Sequence, residues 1–246
     1  MDRLACVDLP AFRLQILLRR HPDWRGWPSA VVSRDSPQGE ILATCAKGRK
    51  RGIEPGQSYA SGLALVPELR ASVLAPADIK RESAIVCQQL RTFSPNVEPS
   101  KEEPGVFWLD ASGLDYLHAS LKQWADSLRA ALRKLDFFSS IVVGYSRFGT
   151  YALAKDRRGV RILTSQEEEV GATSRVSLDR LGLPPSSLAG LLQLGQSTVG
   201  DLLRLPPTGL LERFGPSVYR MRCLATYVPW RRSAKSDAAC VRRGFL

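Results

Sequence analysis

The sequence predicts an α+β protein, and three observations carry the prediction. Short apolar runs with strand character recur at residues 4–8, 106–110 and 140–144. Longer stretches with helical spacing separate them, at 12–20, 77–92 and 117–135. From about residue 165 the strands stop, and short Leu-rich helices alternate with Pro and Gly. A chain of 246 residues with 44% hydrophobic content has enough apolar surface for one large domain or two modest ones.

Taken in order, residues 4–8 read as a buried strand. Residues 12–20 read as a helix with Phe12, Ile16 and Leu17 on one face, preceded by Pro10 and stopped by His21-Pro22-Asp23. Residues 28–33 form a short strand, 35–39 a turn, and 41–44 its hairpin partner. Lys47-Gly48-Arg49-Lys50-Arg51-Gly52 is a basic segment flanked by glycine, and 52–56 breaks the pattern. The helix over 77–92 shows Ile79, Ala84, Val86 and Leu90; that over 117–135 shows Leu117, Leu121, Trp124, Leu128 and Leu132. After the strand at 140–144 come a short helix at 150–155 and a strand at 160–163. Four short helices follow, at 178–183, 187–194, 199–205 and 208–214. Residues 231–246 are polar, basic and aperiodic, and read as a disordered tail.

Charge narrows the function classes. A formal net charge of +11 points to a polyanionic partner, of which nucleic acid is the commonest. No window approaches the ~20 apolar residues that span a bilayer, and Asp2, Arg3 and Asp8 interrupt the N-terminus, so neither a membrane segment nor a signal peptide is expected. Five cysteines without a Cys-x-x-Cys pair argue for a reducing, cytoplasmic setting, and two histidines leave little material for His-based chemistry.

Residues 94–113 organise the chain. The strand at 106–110 ends in Asp110, closed by the turn Asp110-Ala111-Ser112-Gly113, and the strand at 4–8 ends in Asp8. Two buried strands delivering carboxylates to one sheet edge are how a two-metal phosphoryl-transfer site is built. Asp110 reads as a turn-forming acid rather than a ligand. Asp8 reads either as a vestigial metal ligand or as a strand-end acid kept by the scaffold.

Five motifs in order resemble the Y-family, or UmuC-like, translesion DNA polymerases from residue 4 to about 214. The opening Asp-x-Asp-x-Phe is Asp8-Leu9-Pro10-Ala11-Phe12, with Pro10 in place of the second acid. Pro22-Asp23-Trp24-Arg25-Gly26-Trp27-Pro28 matches the segment after the first helix. The fingers motif Tyr-x-Ala-Arg-x-x-Gly aligns with Ala46-Lys47-Gly48-Arg49-Lys50-Arg51-Gly52, keeping Arg49 but not the Tyr. Ser94-Pro95-Asn96-Val97-Glu98 matches Ser-Pro-x-Val-Glu, and Leu109-Asp110-Ala111-Ser112 matches Leu-Asp-x-Thr. The family's Asp-Glu pair has two possible counterparts. Anchoring on Leu109-Asp110 puts Gly105 and Val106 there; anchoring on Ser100 puts Glu102 and Glu103 there. The first is preferred, because Glu-Glu-Pro-Gly reads as an exposed turn.

The resemblance implies a palm with an antiparallel or mixed sheet (1–11 and 76–165), small fingers (12–75) and an all-α helix-hairpin-helix thumb (166–230), with no little finger. It implies phosphate or nucleotide contacts at Arg49 and at Lys155 of Leu153-Ala154-Lys155. It also implies DNA contacts at Lys50 and Arg51, and at Gly195, Thr198 and Gly200 of the hairpin. The missing acids resemble the ImuB-type branch, which implies a non-catalytic adaptor with no catalytic residue and no cofactor. Its partners would be DNA, a RecA-related ImuA-like protein, a C-family error-prone polymerase and the sliding clamp, in the cytoplasm at the nucleoid. Two other readings stay open: a weak nucleotidyltransferase using Mg²⁺ on Asp8, Glu102 and Glu103, and a scaffold with neither activity.

Overall fold

The computed structural model describes residues 2–226 and 228. The tail at 231–246 lies outside the described residues. A five-stranded sheet organises the first two thirds of the chain. It contains β1 (Leu4–Asp8), β5 (Val97–Pro99), β6 (Val106–Asp110), β7 (Ser140–Gly144) and β8 (Gly159–Ile162), in the order β5-β6-β1-β7-β8. The central strand β1 pairs antiparallel with β6 and β7, and β8 runs parallel to β7. The sheet is therefore mixed.

The inner strands β1, β6 and β7 read as continuous apolar runs because both faces are covered. Ala5 and Val7 of β1, Phe107 and Leu109 of β6, and Ile141 and Val143 of β7 share a core with α1 (Phe12–Arg20), α4 (Pro76–Arg91) and α5 (Leu121–Lys134). On the opposite face Cys6, Val106 and Val142 pack with α6 (Arg147–Asp156) and the C-terminal helices. Helix α1, placed by the sequence with residues 12–75, puts Phe12, Leu14, Ile16 and Leu17 into the first of these cores.

Residues 29–73 carry a separate three-stranded sheet, β3-β2-β4, from β2 (Ser29–Val32), β3 (Ile41–Thr44) and β4 (Arg70–Val73), with its own small core around Ile41, Ile53 and Leu69. The basic segment at 47–52 is mostly helical: it forms α2 (Ala46–Lys50). Helix α3 (Tyr59–Leu65), strands β4 and β5, and α7 (Gln166–Thr173) had no sequence signal strong enough to place them. Helix α5 starts four residues later than its spacing suggests. The Ser120 hydroxyl accepts from the Gln123 N–H and fixes the start, leaving Leu117 exposed in the preceding turn. The C-terminal part holds a 3₁₀ turn at Leu178–Leu181, α8 (Pro185–Gln193), α9 (Val199–Arg204) and α10 (Leu210–Ala225), which kinks at Gly215. Among the described residues no helix is long and apolar enough to cross a membrane.

A buried carboxylate fixes the turn between β7 and α6. Glu169 of α7 is fully buried; it accepts from the Tyr145 N–H (2.6 Å), the Ser146 N–H (3.0 Å) and the Ser146 hydroxyl. Those donors lie at and just before the start of α6, on residues that are themselves buried. Glu169→Ala should cost about 2–4 kcal/mol in denaturant unfolding, because two buried N–H groups lose their acceptor. A loss under ~1 kcal/mol would mean that the turn holds itself.

Helix α9 depends on a capping box: Thr198 accepts from the Asp201 N–H at 3.2 Å, and the Asp201 carboxylate accepts from the Thr198 N–H at 2.9 Å. Hydrogen bonds from Thr198 first, then from Ser197, hold the Asp201 carboxyl well below the usual carboxylate range. A depressed pKa stabilises the fold above the ordinary value, and that contribution is lost as pH falls through the folded value. Asp201→Asn should therefore narrow the gap between unfolding midpoints measured at neutral pH and near pH ~3; an unchanged gap would rule this out.

Candidate functional site

Antiparallel pairing decides what surrounds Asp8. Asp8 lies opposite Val106 on β6 and Ser140 on β7, whereas Asp110 lies opposite Leu4 at the far end of β1. The two strand-end acids are thus four residues apart along the sheet, about 14 Å at ~3.4 Å per residue, and not at one edge as the sequence suggested. Asp110 closes its own turn instead, accepting from the Ser112 N–H at 2.9 Å.

Val106 and Asp8 share a face of the sheet. Val106 is buried, so the residue directly across from the carboxylate is aliphatic. Gly105 sits just before it with φ +100°, its carbonyl accepting from the Leu9 N–H at 2.8 Å. A Cβ at this position would stand 2.6 Å from Phe12 Cβ and 3.1 Å from the Leu9 carbonyl. Both the backbone conformation and the space exclude a side chain there.

The second possible acid pair is split by its turn. Glu103 reaches the Asp8 edge, and Glu102 turns to Arg220 of α10. The link between Glu103 and Asp8 is Lys155. Helix α6 follows β7 and runs back along the sheet, so ten residues of helix, ~15 Å, return its last turn to the edge where β7 began and β1 ends. There the Lys155 Nζ donates to Asp8 Oδ1 at 2.7 Å and to Glu103 Oε1. Tyr151, one turn earlier, donates its hydroxyl to Glu103 Oε2 at 2.8 Å, and its ring centroid lies 5.4 Å from the ammonium.

The cluster is dry. The Asp8 side chain is 2% exposed and that of Lys155 14%, whereas Glu103 is half-exposed. Burial raises the Asp8 pKa, against the pull of Lys155. Burial also works against the Lys155 ammonium, but Asp8 and Glu103 outweigh it and the lysine is raised. Burial first, then the Glu103 charge, pushes the Tyr151 phenol far above its usual value. The group is an ion triad closed by a neutral phenol.

The other sequence-derived residues lie apart from this cluster. Arg49 and Lys50 are exposed on α2, and Arg51 pairs with Glu68. Gly195, at φ +72°, ends α8: its N–H reaches the Leu192 carbonyl and the Gln196 N–H the Leu191 carbonyl. The Thr198 hydroxyl is taken by its cap. Gly200 packs on Ser174, donating to its carbonyl at 2.8 Å. Sequence reading missed Tyr151; its four-residue spacing from Lys155 on one helix face was the available signal.

A family model described as impB/mucB/samB matches residues 7–152. The chain belongs to the impB/mucB/samB family. It is 31% identical to protein ImuB of Caulobacter vibrioides over 165 residues, covering 67% of this chain and 35% of that protein. It is 25% identical to DNA polymerase IV of the same species over 228 residues, covering 90% of this chain and 55% of the relative. The chain therefore spans about half the length of that polymerase and about a third of ImuB. Among solved structures, DinB from Sulfolobus solfataricus superposes with a TM-score of 0.74 at 16% identity, covering 91% of this chain and 66% of the other. An insertion ternary complex of Dbh DNA polymerase gives 0.70 at 17%, covering 91% and 67%. The fold is that of the Y-family polymerases.

A two-Mg²⁺ centre does not fit the residues present. Such a centre needs several convergent oxygen ligands. Here the cross-strand neighbours of Asp8 are Val106 and Ser140, the glycine before Val106 has no room for a side chain, and an ammonium already bridges the two carboxylates. Among the described residues no three His, Cys, Asp or Glu side chains converge. Introducing an acid by Gly105→Asp should cost about 1–3 kcal/mol, since it combines positive φ with overlap on Phe12. Equal unfolding midpoints for variant and parent would show that the strand entry can rearrange.

Proposed function

We propose that this chain is a non-catalytic, DNA-binding adaptor of translesion synthesis. The observation that carries the reading is the register of β1 on β6, which sets Val106 opposite Asp8, where the resemblance anchored on Leu109-Asp110 puts an acid of the family. The family membership and the likeness to ImuB and to DNA polymerase IV support the damage-tolerance setting. On this reading residues 1–11 and 76–165 act as palm, 12–75 as fingers and 166–230 as thumb. ImuA-like, C-family polymerase and clamp partners, and a place at the nucleoid, follow by family resemblance.

DNA is held through phosphate. Arg49 and Lys50 project from α2 into solvent, and the excess of positive charge supplies attraction without base reading. Gly195 leaves the hairpin backbone open for a close approach. Lys155 is engaged by two carboxylates and contributes to phosphate binding only by leaving them.

Binding should be weak, independent of sequence and dependent on salt, with each phosphate contact adding about −0.9 to the slope of log affinity against log salt. Arg49→Ala with Lys50→Ala should flatten the slope by roughly two units, and Arg51→Ala alone by less, since Arg51 already has Glu68. A double variant that binds like the parent would remove α2 from the interface.

One observation favours a second reading: Glu103 and Asp8 share a cation, so two carboxylates do meet at this edge. On that reading the chain is a weak nucleotidyltransferase. Primer extension with Mg²⁺ or Mn²⁺ separates the two. We expect no incorporation; template-dependent incorporation lost in both Asp8→Ala and Glu103→Ala would establish the enzyme.

A further inference from the structure

The degenerate edge is not simply short of ligands; it is already filled with charge. Asp8 is one of the most deeply buried acids among the described residues, and a carboxylate there costs several kcal/mol unless a cation compensates it. The compensation comes from the protein. The Lys155 Nζ touches Asp8 on one side and Glu103 on the other, under the ring of Tyr151. Ala152, Leu153 and Ala154, just before it on α6, are buried in the second core and fix where that helix ends. Tyr151 holds the second oxygen of Glu103, which keeps that more exposed carboxylate turned inward.

We propose that Lys155 is the resident cation of this site: its ammonium takes the place between Asp8 and Glu103 that a divalent metal ion would otherwise hold, and so keeps metal out. The exclusion is electrostatic and steric together. A divalent ion approaching Asp8 meets a fixed positive charge, and Asp8 Oδ1 and both Glu103 oxygens already accept hydrogen bonds. Gly105, Val106 and Lys155 then belong to one arrangement, in which a single positive charge serves two carboxylates. This does not depend on DNA binding, which the proposed function places chiefly on Arg49 and Lys50 of α2, so a failure of either can be seen without the other.

The proposal makes the lysine the lock. Taking away its charge should leave Asp8 and Glu103 as a small anionic site open to a metal. The test uses the full chain and Mn²⁺, read by thermal unfolding and by the electron paramagnetic resonance signal of free Mn²⁺. The parent should bind no Mn²⁺ at this edge, with a titration superimposable on that of Asp8→Asn. Lys155→Met should take up Mn²⁺ at concentrations at least about tenfold below any at which the parent shows uptake above Asp8→Asn, and gain thermal stability on Mn²⁺ addition. Lys155→Arg, which keeps the charge, should behave as the parent. Adding Asp8→Asn or Glu103→Gln to Lys155→Met should abolish the gain. A parent that binds Mn²⁺ more tightly than Asp8→Asn would overturn the proposal, as would Lys155→Met with no gain. Should Lys155→Met fail to fold, the comparison of parent with Asp8→Asn decides alone.

Discussion

Everything at the candidate site depends on β1 being hydrogen-bonded on both sides and buried on both faces. A strand so enclosed cannot slip by one residue without turning Ala5 and Val7 out of one core and Cys6 out of the other. Its register is therefore fixed by packing along its whole length, and the register alone decides that Asp8 faces Val106 and that Asp110 falls at the far end. The chemistry available at the edge is a consequence of the hydrophobic pattern several residues away. No local change at residue 106 can move a carboxylate there unless the new side chain is itself an acid.

The same enclosure sets the electrostatics. Asp8 ends a buried strand, so its charge cannot be solvated by water. A carboxylate in such a place is either protonated, metal-bound or paired. The return of α6 makes pairing possible, because the turn held by Glu169 aims the helix back toward the edge where β1 ends. Two buried acids thus act in series: Glu169 satisfies the start of α6, and Asp8 with Glu103 receives the lysine from its end. A structural carboxylate at one end of a helix positions the charge pair at the other.

Much of this fold was legible in the sequence. The bounds of β1, α1, β3, β6 and β7 follow from apolar runs and punctuation, because those elements are strongly patterned and all but β3 end at Pro, Gly or a charged turn. What escaped was decided at longer range. Strands β4 and β5 are short and only partly buried, so their pairing rather than their composition makes them strands. The start of α5 depends on one Ser hydroxyl and not on the Leu117 periodicity. At the site, the two alignments named different residues, and the structure brings residues from both near Asp8. Gly105 and Val106 occupy the strand positions, while Glu103 still reaches the edge from the turn before them. A linear alignment has to choose between them; a turn in three dimensions does not.

That turn does one thing more. Glu102 and Glu103 are adjacent but diverge, one to Arg220 on α10 and the other to Lys155 on α6. Residues 100–105 therefore tie the sheet edge to two separate helices, one of them in the C-terminal part. The exposed Glu102–Arg220 pair contributes little by itself, because both groups remain hydrated. The Lys155 pairs are a different matter, since Asp8 is buried and its partner cannot be replaced by solvent. Of the two ties, only the inner one can hold the turn in place, and it does so by holding the charge.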